Sequence, residues 1–399
     1  MKQMLYRFLL IVCLSSTASI AKPFIPTHDE QVLEILPAKL ISTSQRHVLS
    51  RARQAWRADP RNIYTVNTLA RLYIAQSRQL ADPRYLGYAE ALLEPWAALT
   101  RVPTTIRLLR AILLQRNHHF EPALLELKKI LQEDPAQSEA LLTQATIQQV
   151  RADYENARKT CQHLYTLSTL MIGMTCTAQI DGLTGKAESA LQRMSTLLNL
   201  KNSGLSLEIQ VWMRLTTIEL AQRAGRTAEV DIHFKKLLLE QIPLAPEAKA
   251  AYADWLLSQQ RFEDVIALGT NDNHDDGMVL RVVIAEEALN LPTATTHRTL
   301  LKDRFAAARL RGDHVHQREE SRFTLSVLQQ PQEALALAQA NWLIQREPAD
   351  AQLLLEAALK AGKPLTAQPV LQWLKDSHFQ DKNLLQQAAE IERMIGAAS

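Results

Sequence analysis

The residue types that do chemistry are sparse in this sequence, and their spacing argues against the sites they first suggest. Gly182-Leu183-Thr184-Gly185-Lys186 has the glycines and lysine of a phosphate-binding loop, but that loop needs four residues between its glycines and a strand before them. It reads as a turn between helices. Asp272-Asn273-His274-Asp275-Asp276-Gly277 has the acid density of a calcium loop. It puts His274 where an oxygen ligand belongs and Val283 where the closing glutamate should be, so a solvated loop fits better. His118-His119 and His314 with His316 are the histidines nearest one another. Such neighbours do not share a helix face and no cysteine or glutamate completes a zinc set, so no metal site is expected. Neither a Gly-x-Ser-x-Gly elbow nor a His-Glu-x-x-His helix occurs. The expectation is a non-enzyme, with no catalytic residue and no cofactor.

The two cysteines past the N-terminus, Cys161 and Cys176, depend on compartment for their chemistry. The chain opens with Lys2 and Arg7, an apolar run from Phe8 to Leu14 and small residues ending Ser19-Ile20-Ala21. This is the pattern of a secretory signal peptide over residues 1–21, with the mature chain starting near Lys22. Its apolar core is far shorter than the roughly 20 residues that cross a bilayer, and no later stretch is that apolar, so no membrane span is expected in the mature chain. Cys13 would suggest a lipid anchor, but Val12 precedes it where a small residue belongs. Export implies an oxidising space, the periplasm of a Gram-negative cell in our reading, where paired cysteines tend to be bridged. Cys161 and Cys176 fall in consecutive predicted helices, about equally far from a turn near Leu167 or Ser168, which sets them opposite one another. A bridge is one reading, and two small buried apolar side chains is the other.

Composition narrows the class. The 45 Lys and Arg oppose 42 Asp and Glu, and the signal peptide removes Lys2 and Arg7. A near-neutral chain without a one-sided basic stripe interleaved with aromatics is not expected to bind nucleic acid. With 47% hydrophobic residues and only 11 glycines, the expected class is all-α. A chain of 399 residues exceeds what one compact core usually holds, so it divides into domains or extends as a solenoid.

Internal periodicity decides for the solenoid. In residues 104–137, Ala111 precedes a turn at Asn117-His118-His119, and Phe120, Ala123, Leu127 and Ile130 then follow at helical spacing. Residues 138–170 repeat the pattern with Ala145, Tyr154, Ala157, Cys161 and Leu164, and residues 171–204 with Ala178, Gly185, Ala187, Ala190, Met194 and Leu197. Two helices with single apolar stripes meet closely only where a small residue marks the crossing. Ala111 with Ala123, Ala145 with Ala157, and Ala178 with Ala190 supply those crossings.

In these features the chain resembles the tetratricopeptide repeat (TPR) family, with small residues at the eighth and twentieth repeat positions and an aromatic at the seventeenth. The second-helix half of that pattern is kept. The first-helix half is degenerate, with Arg107, Leu141, Met174, Leu114 and Gln148 at the early aromatic positions. The resemblance implies a right-handed α-solenoid of helix–turn–helix repeats with a C-terminal capping helix. The expected organisation is a signal peptide at 1–21, an extended segment and lead-in helices at 22–62, repeats at 63–270, an irregular helical linker at 271–314, and further repeats with the cap at 315–399. First helices then line a concave face, on which the family's usual contact positions are Asn67, Arg71, Gln115, Thr146, Gln149 and Gln179. These are amide-rich, suited to a peptide backbone, and do not form the lysine clamp that some family members use for a C-terminal carboxylate. The functional expectation is an extracytoplasmic scaffold or adaptor binding a protein or peptide of the cell envelope. The alternative is an enzyme or enzyme accessory with a site near 271–316.

Overall fold

The computed structural model describes residues 42–97, 99–167, 170–200, 205–240, 245–310 and 317–398. The expected signal peptide with Cys13, and His314 and His316, lie outside them. All regular structure among the described residues is helical. A first helix, α1 (Thr43–Ala58), precedes nine pairs, each an A helix followed by a B helix. They are α2 (Ile63–Leu80) with α3 (Arg84–Ala97), α4 (Thr104–Arg116) with α5 (Phe120–Glu133), α6 (Ser138–Val150) with α7 (Tyr154–Leu167), and α8 (Leu170–Leu183) with α9 (Ala187–Asn199). There follow α10 (Leu207–Arg223) with α11 (Thr227–Glu240), α12 (Pro246–Ser258) with α13 (Phe262–Gly269), and α14 (Asp276–Ala288) with α15 (Ala294–Leu310). The last pairs are α16 (Gln317–Ser326) with α17 (Pro331–Ile344) and α18 (Pro348–Lys360) with α19 (Gln368–Ser377), before a final α20 (Lys382–Ala398).

One turn, used repeatedly, makes the pairs. Between A and B helices the chain passes through a single left-handed residue, at Ala81, His118, Ala152, Gly185, Gly225, Gln260, Asn290, Gln329 and Gly362. In most of them the next N–H reaches back to the carbonyl five residues earlier, as from His119 to Leu114, Asp153 to Gln148, Lys186 to Asp181 and Arg226 to Ala221. This bond satisfies a carbonyl that the helix end would leave open, and the left-handed residue turns the chain back on itself. Gly185, Gly225 and Gly362 adopt the conformation without strain. A side-chain-bearing residue there accepts about 1 kcal/mol.

The reversal lets paired stripes close on one another at alanines. Ala111 and Ala123 are fully buried in one cluster with Leu127 and Ile130. Ala145 and Ala157 share a second with Cys161 and Cys176, and Ala178 and Ala190 a third with Met194 and Leu197. Each large side chain buried this way stabilises the fold by about 1.5–3 kcal/mol. Helix starts are fixed locally. Ser42, Asn62, Ser206 and Asp275 cap first-turn N–H groups with their side chains. Prolines open α12, α17 and α18, where the missing N–H costs nothing.

Residues 276–310 fall in the stretch expected to be irregular, and they are two regular helices reversed at Asn290 and packed around Leu301 and Phe305. The terminal α20 buries Leu384, Ala388 and Ile391 in the last cluster and covers its end. Cys161 and Cys176 are bridged across the α7–α8 pair, with their Cα atoms 5.6 Å apart.

The repeats also curl far enough for late ones to touch early ones. The Arg346 N–H donates to the Val150 carbonyl at 2.7 Å, where α6 ends. Trp373 Nε1 donates to the Tyr154 hydroxyl at 3.0 Å, and Arg223 lies over the Phe379 ring. Leu183 joins the buried cluster of α17 to α20. At Gly185 a Cβ would stand 2.7 Å from the His378 carbonyl oxygen.

Two substitutions test these contacts. Cys161→Ser with Cys176→Ser should lower stability by about 3 kcal/mol, the closure entropy of a loop this size, in urea unfolding followed by circular dichroism. Reductant should move the midpoint of the wild type but not of the variant. Gly225→Ala, with open space around its Cβ, should cost about 1 kcal/mol for the left-handed backbone alone. Gly185→Ala adds the clash with His378 and should cost about 2–3 kcal/mol in the same measurement.

Candidate functional site

The A helices carry every residue of the expected concave face. Asn67 and Arg71 are on α2, Gln115 on α4, Thr146 and Gln149 on α6, and Gln179 on α8. The structure joins the first two. Arg71 Nε donates to Asn67 Oδ1 at 3.0 Å, and both its terminal nitrogens hold the Glu139 carboxylate at 2.8 Å. The hydrogen bond to Glu139 raises the Arg71 pKa against the opposing effect of burial. Thr146 is exposed and returns its hydroxyl to the Leu142 carbonyl of its own helix. Gln115, Gln149 and Gln179 are half-buried, and their side-chain amides have no hydrogen-bond partner among the described residues.

Several charges on the A helices are paired with one another across repeats. Arg78, near the end of α2, lies 3.5 Å from Glu247 and 3.8 Å from Glu208, at the starts of α12 and α10. Asp254 on α12 receives Arg281 from α14, and Arg322 from α16 at 2.7 Å. Burial disfavours the Asp254 carboxylate, but Arg322 and Arg281 outweigh it and hold its pKa below the usual range. Arg318 on α16 reaches Asp350 and Glu347 at the start of α18, and Asn341 completes Asp350 at 2.7 Å. Burial would lower the Arg318 pKa, yet Glu347 and Asp350 raise it well above its ordinary value.

The acids of the alternative region are engaged in the same way. Asp272 pairs with Lys249 at 2.8 Å, Asp275 caps α14 through the Met278 N–H, and Asp276 pairs with Arg304. His118 stacks on Phe120 with ring centroids 5.5 Å apart. No group of three or more His, Cys, Asp or Glu among the described residues is arranged to hold a metal ion. No described helix is long and apolar enough to cross a membrane. Of the tryptophans, Trp255, Trp342 and Trp373 are buried and Trp56, Trp96 and Trp212 half-buried.

The resemblance proposed the amides through their repeat positions, and sequence reasoning offered no sign of Glu139, Glu247 and Asp254. Their partners are too distant along the chain for any local spacing to link them.

Helix pairs, recurrent left-handed turns and alanine crossings together make this an all-α solenoid of TPR-like repeats. No protein-family profile and no curated protein matches the sequence. Solved structures of helical repeat proteins are similar to it at low identity. The TPR domain of P58(IPK) is 16% identical, with 90% of this chain and 95% of that one covered and a TM-score of 0.21. Yeast Tom70 is 8% identical, with 89% and 96% covered and a TM-score of 0.24. Naa15/Naa10 bound to HypK-THB is 12% identical, with 87% and 63% covered and a TM-score of 0.24.

The Asp254 cluster can be tested by removing its charge. Asp254→Asn leaves two arginines facing each other and should destabilise by about 1–2 kcal/mol, the figure for a buried pair reduced for partial exposure. Because the folded carboxyl titrates below its ordinary value of 3.8, its contribution is complete above that pH and is lost only as pH falls through the folded pKa. The variant should therefore lose most stability near neutrality and converge on wild type in strong acid, measured as unfolding midpoint against pH.

Proposed function

We propose that this chain is an exported scaffold of the cell envelope, residing in the periplasm, that holds an extended segment of a partner protein along α4, α6 and α8. The observation that carries the reading is the contrast between spent charges and unspent amides. Arg71, Arg78, Asp254 and Arg318 are satisfied within the chain, whereas Gln115, Gln149 and Gln179 have hydrogen-bonding capacity to offer. A carboxamide donates and accepts, as a peptide group does, so a neutral backbone completes it. A charged ligand at Arg71, Arg78, Asp254 or Arg318 would have to displace an existing ion pair. Each amide contact is worth about 0.5–1.5 kcal/mol net, which suits a reversible grip that strengthens as more amides engage. The signal-like start of the sequence supports export, and the Cys161–Cys176 bridge is compatible with an oxidising space.

A photoreactive residue at the exposed Thr146, one turn from Gln149, should cross-link the chain to a polypeptide in intact envelopes. Combining it with Gln115→Ala, Gln149→Ala and Gln179→Ala should remove most of that product without lowering the melting temperature. Undiminished cross-linking by the combined variant, or a mature chain that still carries residues 1–21, would count against the reading.

A further inference from the structure

We infer that the groove between α1 and α2 is a second docking site, built for an acidic, amphipathic segment of a protein partner. It goes beyond the amide row and uses none of its residues. The groove encloses about 170 Å³ and is walled by Val48 and Leu49 of α1 and by Leu72 and Ala75 of α2, with Gln76 and Gln79 between them. Val48 remains 39% exposed, as an apolar wall open to solvent would be.

Gln76 gives the groove its polarity. Its side chain is only 7% exposed, and its Oε1 is buried without a hydrogen-bond partner among the described residues. The orientation is dictated by its neighbours. Gln79 Oε1 already accepts from Gln45 Nε2 at 2.9 Å and from Gln76 Nε2 at 3.2 Å. Turning the Gln76 amide over would set two carbonyl oxygens against each other. The unsatisfied atom is therefore an acceptor, and the group that fits it is an N–H, as a peptide backbone provides.

Charge selects the class of partner. α1 contains Arg46, Arg51, Arg53 and Arg57 and no acid, and Arg61 follows it. None of these arginines is within ion-pair distance of a carboxylate among the described residues, in contrast to Arg71, Arg78, Arg281 and Arg318. Arg53 turns instead to the Tyr73 hydroxyl at 2.9 Å. Arg51 comes three residues after Val48, on the same line of the helix and so at the rim of the groove. Arg46, Arg53 and Arg57 occupy the opposite flank, where they add to the field that draws carboxylates. The fitting segment places an apolar side chain against Val48 and Leu72, an N–H on Gln76 and carboxylates by Arg51.

The probe is a fluorescein-labelled amphipathic peptide with leucines on one face and glutamates on the other, titrated by anisotropy into the full chain. Saturable binding should weaken at least about ten-fold with Val48→Glu and with Arg51→Glu, both at exposed positions that leave the fold intact. Gln76→Leu should weaken it several-fold, added salt should weaken it, and the same peptide with lysines for glutamates should not bind. The Gln115→Ala, Gln149→Ala, Gln179→Ala variant should bind the probe like wild type, so this site can fail while the amide row stands. Equal binding of the lysine peptide, or unchanged affinity in Val48→Glu and Arg51→Glu, would overturn the inference. So would capture of the chain by phosphatidylglycerol vesicles through Arg51 when the acidic peptide fails to bind.

Discussion

A close helix crossing needs two things at once, a small residue where the backbones approach and a turn tight enough to bring the second stripe back onto the first. Everything else in this protein depends on that pairing. Ala111 against Ala123 and Ala145 against Ala157 meet the first condition, and the left-handed residues His118 and Ala152 meet the second. A pair made this way buries only its inner stripes. Its outer apolar surface is left for the next pair, so the unit cannot stand alone and stacking follows. The disulfide locks the step between α7 and α8, where the B helix of one pair packs on the A helix of the next.

Stacking positions two kinds of polar group on the A helices. Where repeats far apart in sequence are brought close, arginines and carboxylates settle their desolvation cost on one another, as Arg318 does with Glu347 and Asp350. Where no charged partner comes within reach, uncharged amides remain, as at Gln115, Gln149 and Gln179. This division is the basis for proposing a peptide backbone, rather than a charged terminus, as the ligand of α4 to α8. It also separates the amide row from the α1–α2 groove, whose arginines have no carboxylate partner among the described residues.

The contacts between late and early repeats bear on how open the A face can be. The residues that carry the Arg346–Val150 bond, Gln345 to Glu347, are not helical. They lie at the C-terminus of the helix that bears Gln149. A neighbouring stretch of the same chain thus donates a backbone N–H to α6. The Trp373–Tyr154 and Arg223–Phe379 contacts hold the same junction. The amide row therefore sits on a face whose edge is fixed by the C-terminal repeats, a rigidity that would limit the entropy lost on binding the proposed extended segment.

Local spacing was enough to read the helical class, the three central repeats with their alanine crossings and the opposed cysteines, because each depends on residues within a few helical turns of a known point. The helix pair at 276–310 reads in the sequence only as an irregular helical linker because the repeat spacing loosens after Leu268. The ion pairs of Arg71, Arg78 and Asp254 could not be foreseen. They join residues one to five repeats apart in sequence, and only the rotation of the stack decides which charges meet. For the same reason the sequence could offer Asn67 and Arg71 as ligand contacts, while the tertiary structure committed Arg71 to Glu139. It also left the arginines of α1 beyond ion-pair reach of any carboxylate among the described residues, while the acids that curl back, Glu139, Glu208 and Glu247, stop at α2.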